Sequence, residues 1–130
     1  MKFRYAILYV NDVAATIDFY GRAFGLEKSF IHESGDYGEV ATGTTTLSFS
    51  AHSLMRQLGK NSTPADPAAP VFEIALETDD VSAALSRAVD AGATLVQEAK
   101  EMPWGQTTAY VNDINGFLVE ICTPVQTQQI

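Results

Sequence analysis

Two βαβββ modules of an α+β fold are legible in this chain from an internal repeat, a strand-like alternation and a pair of matching helix starts. Tyr5-Ala-Ile-Leu-Tyr-Val-Asn-Asp-Val13 and Glu73-Ile-Ala-Leu-Glu-Thr-Asp-Asp-Val81 share one pattern, displaced by 73 − 5 = 68 residues. Each is a short alternating run that ends in an Asn/Asp-Asp-Val step into a helix. A period of that length is too long for a solenoid unit and too short for two independent domains. It predicts one domain over residues 1–130, with module 1 at 3–52, a connecting loop at 53–70 and module 2 at 71–124. Two such curved sheets side by side would make a cup-shaped sheet, lined by the faces that the helices leave free.

The elements follow in order. Residues 3–10 alternate, with Ala6, Leu8 and Val10 on one face and Tyr5, Ile7 and Tyr9 on the other. Asn11 or Asp12 supplies an N-cap oxygen, Val13, Ile17, Tyr20 and Phe24 recur at helical spacing, and Gly25 suits the C-terminal stop. Residues 27–32, 37–42 and 45–51 then read as strands punctuated by Gly35 and Gly43. The second half repeats this with a strand at 71–78, a helix marked by Val81, Leu85 and Val89 and closed by Gly92, and strands at 94–99, 106–112 and 117–123. Asn115-Gly116 is a hairpin signal for a tight primed turn. Between the modules, a helical turn is expected at 54–58, followed by a stretch whose three prolines make it a loop. The polar tail at 123–130 is expected to fray.

Bulk composition narrows the function. The 130 residues are 46% hydrophobic and 18% charged, and 16 acidic against 8 basic side chains give a net charge of −8. That balance disfavours nucleic acid and anionic membranes as partners, because both need clustered Lys and Arg. Cys122 is the only cysteine, so no internal disulfide can form and a reducing compartment is expected. The apolar run after Arg4 is too short for a signal peptide or a membrane span, which points to the cytoplasm.

Paired βαβββ modules, the Val10-Asn-Asp-Val…Ile17-Asp-Phe-Tyr20…Phe24-Gly-Leu26 entry and the Trp104-Gly…Asn112-Asp-Ile-Asn-Gly-Phe-Leu-Val-Glu-Ile-Cys122 ending resemble the vicinal oxygen chelate superfamily. That group holds glyoxalase I, extradiol dioxygenases, fosfomycin-resistance enzymes and bleomycin-resistance proteins, so the scaffold alone does not name an activity. In its metal-using members, the first and fourth strands of each module supply one ligand each to a divalent ion. Strand position carries those sites onto Tyr5, Ser48, Glu73 and Glu120. The repeat supports this choice, pairing Tyr5 with Glu73 at an offset of 68 and Ser48 with Glu120 at an offset of 72. The usual first and third ligands are His, however, and only Glu120 keeps the usual identity. Tyr and Ser are poor ligands for Zn²⁺, Ni²⁺ or Fe²⁺. No cofactor is therefore favoured, and a divalent metal belongs to the less favoured reading.

Two readings follow from the resemblance. The favoured one is metal-independent, drug-sequestering binding of a small, partly aromatic molecule, cationic ones included, by a cytoplasmic homodimer of the antibiotic-resistance type. Tyr5, Tyr9 and Trp104 would wall the ligand, Ser48 and Ser50 would offer hydroxyls, and Glu73 and Glu120 would anchor polar or charged groups. The alternative is an enzyme, a divergent lyase or dioxygenase that uses Glu73 and Glu120 as catalytic carboxylates, with or without a divalent metal. Like charges held close would push one carboxyl's pKa up and leave an acid beside a base. His32 and His52 fall off the four ligand positions and read as solvated loop histidines, the alternative being that His52, just after the fourth strand, reaches the cup rim as a general base; Cys122 has no histidine placed to activate it.

Overall fold

In the computed structural model, which describes residues 1–125, each half of the chain folds around a helix and four strands of its own. The division falls between Pro64 and Ala65, inside the stretch expected to connect the modules. The first half runs β1 (Tyr5–Val10), α1 (Val13–Phe24), β2 (Lys28–Ile31), β3 (Tyr37–Val40), β4 (Thr46–Ala51) and α2 (His52–Gln57). The second runs β5 (Glu73–Glu77), α3 (Val81–Asp90), β6 (Thr94–Glu101), β7 (Thr107–Asn112) and β8 (Leu118–Cys122). The strands form two four-stranded sheets, ordered β1-β4-β3-β2 and β5-β8-β7-β6, with β1–β4 and β5–β8 parallel and the other pairs antiparallel. No helix among the described residues is long and apolar enough to cross a membrane.

The repeated Asp-Val step does what its chemistry predicts. Asp12 Oδ1 accepts from Ala15 N at 3.0 Å and Asp80 Oδ1 from Ala83 N at 3.1 Å, each capping orphan N–H groups of a first turn. Gly25 closes α1 in the left-handed region (φ 71°), where Leu26 N donates to Tyr20 O at 3.3 Å. With Gly25 N donating to Gly21 O at 3.0 Å, this bond satisfies carbonyls the helix leaves open. In module 1, α1 lays Val13, Ile17 and Tyr20 against a sheet face that buries Leu8, Val10, Val40, Leu47 and Phe49. The rings of Phe19, Tyr20, Phe24 and Phe49 touch edge-on or tilted, with centroids 5.0–5.7 Å apart. Module 2 buries smaller side chains, Val81 and Ala88 of α3 with Ala109, Val111, Val119 and Ile121.

Three hairpins place a glycine alike. Gly35, Gly105 and Gly116 donate their N–H to the carbonyls of His32, Met102 and Asp113, three residues back, at 2.8, 2.9 and 3.1 Å. All three glycines have positive φ, and no described non-glycine residue does. Asn115-Gly116 therefore turns as a three-residue loop with a glycine bulge and not as the primed two-residue turn, which needs positive φ at both central positions. Asp113, 4% exposed, fixes this turn by accepting from Asn115 N and Phe117 N.

Other boundaries moved for local reasons. The expected turn at 54–58 is a helix that begins two residues earlier, directly off β4. Val71 and Phe72 stand outside β5 and are exposed. Thr123, expected to fray, is tied to Thr107 by both its N–H and its hydroxyl; residues 126–130 of that tail lie outside the described residues.

Gly38 marks where α1 comes closest to the sheet. A Cβ there would lie 2.5 Å from Ile17 Cδ1 and 3.1 Å from Phe30 O, so Gly38→Ala must move the helix or the strand. We expect it to destabilise the protein by about 1–3 kcal/mol in denaturant unfolding. Gly21→Ala, on the same helix with 3.5 Å to Leu26 O, should be neutral or stabilise by up to about 1 kcal/mol.

Candidate functional site

The side of each sheet away from its helix carries the chemistry. In module 2, the turn at Asp113–Gly116 sets the register of β7 on β8 so that paired residue numbers sum to 230, which puts Tyr110 directly opposite Glu120. Tyr110 Oη donates to Glu120 Oε2 at 2.7 Å and lies 3.4 Å from Glu73 Oε2 on β5. Glu73 reaches this point because β5 runs parallel to β8, with Ala75 beside Glu120 and Glu73 beside Leu118. Burial, and then the bond to and charge of Glu120, push the Tyr110 phenol well above its ordinary range, so it stays a protonated donor. Sequence reasoning named both glutamates and missed the phenol between them. The usable signal was the hairpin: once the Asn115-Gly116 turn is placed, counting back along both strands brings Tyr110 to Glu120.

Neither Glu73 nor Glu120 has a basic partner among the described residues. Residues 1–64 hold six basic and six acidic side chains and residues 65–130 hold two and ten, so the whole net charge of −8 belongs to the second half.

In module 1, Tyr5, Ile7 and Tyr9 of β1 stand beside Thr46, Ser48 and Ser50 of β4. Tyr5 is 43% exposed with the Arg4 guanidinium 4.8 Å over its ring. Ser48 and Ser50 are buried, and Ser48 Oγ donates to Ala6 O at 3.4 Å. On β3, Tyr37 Oη donates to Glu39 Oε2 at 2.7 Å, and burial raises this phenol too. The Tyr37 ring packs at 6.0 Å from that of Phe30.

Trp104 stands 58% exposed on the β6–β7 turn, its indole N–H bonded to Gln106 Oε1 at 2.8 Å while Gln106 Nε2 holds Thr123 O. It is an exposed aromatic on a fixed mount. His32 is exposed in the β2–β3 turn, as expected. His52 is not a solvated loop histidine: it is 6% exposed at the start of α2, with Nδ1 2.7 Å from Ser62 Oγ and its ring edge-on to Tyr9 at 6.4 Å. Cys122 is 3% exposed, and burial followed by the Glu120 charge pushes its thiol up to about 11, which removes the thiolate a nucleophile needs.

The family metal does not fit this donor set. Among the described residues no three His, Cys, Asp or Glu side chains gather to hold an ion. Ser48 is turned onto a backbone carbonyl, Tyr5 lies under a guanidinium, and Glu120 accepts from a phenol that keeps its proton.

Comparison with known proteins agrees with this architecture. Residues 2–121 match the model of the Glyoxalase/Bleomycin resistance protein/Dioxygenase superfamily. A crystal structure of a glyoxalase-related enzyme from Fulvimarina pelagi superposes with a TM-score of 0.80 at 23% identity, over 95% of this chain and 88% of that one. A family enzyme from Burkholderia phytofirmans PsJN gives 0.82 at 20% identity, over 97% and 100%. In sequence, an uncharacterised protein of Mycobacterium tuberculosis H37Rv is 29% identical over 128 residues, covering 92% of this chain and 72% of its own length.

Two titrations check the site. Tyrosinate absorbance should show at least one of the five tyrosines failing to ionise around pH 10, and Glu120→Gln should bring an additional phenol down toward the ordinary range, because it removes a repelling charge and an acceptor. Cys122 should be inert to a disulfide reagent at pH 8 in the native protein and react fully once unfolded.

Proposed function

The chain belongs to the glyoxalase/bleomycin resistance protein/dioxygenase superfamily, and on that premise we propose that it binds a small, partly aromatic molecule, cationic ones included, without a metal ion. On this reading it is a drug-sequestering protein that works as a homodimer in the cytoplasm. In module 2, Glu73 and Glu120 hold the ligand's polar or charged end and Trp104 offers an aromatic wall; in module 1, Tyr5 and Tyr9 offer aromatic walls beside Ser48 and Ser50.

The observation that carries the proposal is the Glu73–Tyr110–Glu120 arrangement. Two carboxylates flank a phenol that stays protonated, and no basic residue balances them. A unit positive charge about 4 Å from a carboxylate near a protein surface gains on the order of 4 kcal/mol before desolvation is counted, so an organic cation is the natural counter-ion. Tyr110 orients Glu120 by donating to it. The arrangement offers carboxylate acceptors for a ligand, and the cysteine on the same strand as Glu120, Cys122, stays a thiol, which favours binding over the lyase or dioxygenase alternative.

Calorimetric titration of chelator-treated protein with benzylammonium, and separately with Mn²⁺, Ni²⁺, Zn²⁺ and anaerobic Fe²⁺, tests this. Benzylammonium should bind, and Glu120→Gln should weaken it about tenfold or more, the effect of losing a charged hydrogen-bond acceptor. One tightly held metal ion per chain, lost in Glu120→Gln, would overturn the proposal and make the enzyme the leading reading.

A further inference from the structure

His52 is buried at the start of α2, and only one of its two nitrogens has a partner among the described residues. Nδ1 lies 2.7 Å from Ser62 Oγ, while Nε2 has no partner among the described residues. No fully buried side-chain nitrogen or oxygen is left unsatisfied, so Nε2 must reach accessible space. A residue 6% exposed that keeps one polar atom open is presenting that atom. We propose that His52 offers its Nε2–H as a hydrogen-bond donor to a carboxylate or carbonyl oxygen of an aromatic ligand lying on the Tyr5–Tyr9 face of module 1.

The tautomer follows from Ser62. The hydroxyl of Ser62 has no other acceptor among the described residues. A half-buried O–H left without one costs about 1–3 kcal/mol. It therefore donates to Nδ1, which makes Nδ1 the acceptor and puts the ring proton on Nε2. Ser62 arrives there because the chain reverses after α2: Gly59 takes a positive φ of 78° and Lys60 N donates back to Met55 O at 2.8 Å. Ser62 is thus a positioning residue, and Tyr9, edge-on to the imidazole, is its second support.

The surroundings choose an acceptor-bearing ligand over a cation. His52 follows the last residue of β4, and its ring lies edge-on to Tyr9, which stands beside Ser50. Arg4 lies over Tyr5, and the nearby carboxylate on this face, Glu39, accepts from Tyr37. Residues 1–64 carry no net charge, in contrast to residues 65–130. An aromatic carboxylate or amide stacked on Tyr5 and Tyr9 would meet the imidazole donor. The proposal rests on this face being a ligand wall, as in the function proposed above.

The test uses histidine-selective ¹⁵N labelling at pH 8, where the two histidines of the chain, His32 and His52, give separate signals assigned with His52→Phe. The expected spectrum has His52 protonated at Nε2 and bare at Nδ1, and added benzoate shifts its Nε2 signal saturably. Ser62→Ala should weaken benzoate at least threefold, and Ser62→Thr, which restores a hydroxyl, should recover most of the affinity, an outcome simple loop packing would not produce. A bare Nε2 in the unmodified protein, or His52 signals unmoved by millimolar benzoate, overturns the proposal. Benzylammonium on the same samples separates the two claims: its binding with Glu120 dependence, beside a silent His52, sinks only the acceptor proposal. Should neither compound bind, both fall. If His52→Phe fails to fold by circular dichroism, assignment passes to His32→Gln, on the exposed turn.

Discussion

The pairing of the first strand of each module with its fourth places every side chain considered above. A parallel pair cannot be closed by a tight turn, so the chain must leave through a helix and two further strands before it returns. That detour covers one face of each sheet with α1 or α3 and leaves the polar residues of β4 and β8 on the other. The registers then repeat: Tyr5, Ile7 and Tyr9 lie beside Thr46, Ser48 and Ser50, as Glu73, Ala75 and Glu77 lie beside Leu118, Glu120 and Cys122. Had either fourth strand slipped by one residue, its alternate side chains would have exchanged faces, and Glu120 would point at the apolar core beside Val111.

On this common frame, the two modules treat a carboxylate in the same way and a charge in opposite ways. Each seals a glutamate with a phenol at 2.7 Å, Tyr37 on Glu39 and Tyr110 on Glu120. In module 1 both partners lie on β3, two residues apart, and the acid is matched by a half with no net charge. In module 2 the pair bridges β7 and β8, a further glutamate stands 3.4 Å away, and the half carries the entire net charge of the protein. A protonated phenol quiets a carboxylate without neutralising it, which keeps the attraction for cations while occupying the place where an ion would need ligands.

The cores diverged along with the faces. Module 1 packs a tight aromatic cluster under α1, close enough that Gly38 has no room for a methyl group. Module 2 packs small and branched residues under α3, whose Val89 remains 39% exposed. A repeat that preserves caps, strand order and register therefore does not preserve side-chain volume, because register depends on backbone pairing while packing needs only complementary shapes within each module.

Local chemistry made much of this molecule legible in its residues alone. The Asp12 and Asp80 caps, the Gly25 stop, the alternation of β1 and the module order are set by spacing within a few residues, and each appears in the structure as the spacing implies. The positions of Glu73 and Glu120 on one face followed from strand parity and the 68-residue repeat. What lay beyond reach were contacts between residues that no local rule connects. Tyr110 meets Glu120 only through the count of a hairpin whose turn type the dipeptide Asn115-Gly116 did not decide. His52 is buried only because a loop ten residues on folds back to set Ser62 against it. Periodicity and capping act over one or two turns of chain, so the sequence by itself determined the elements and their faces. The partners of Tyr110 and His52 depend on register and loop return, which exist only once the strands have paired, and there the tertiary structure decided.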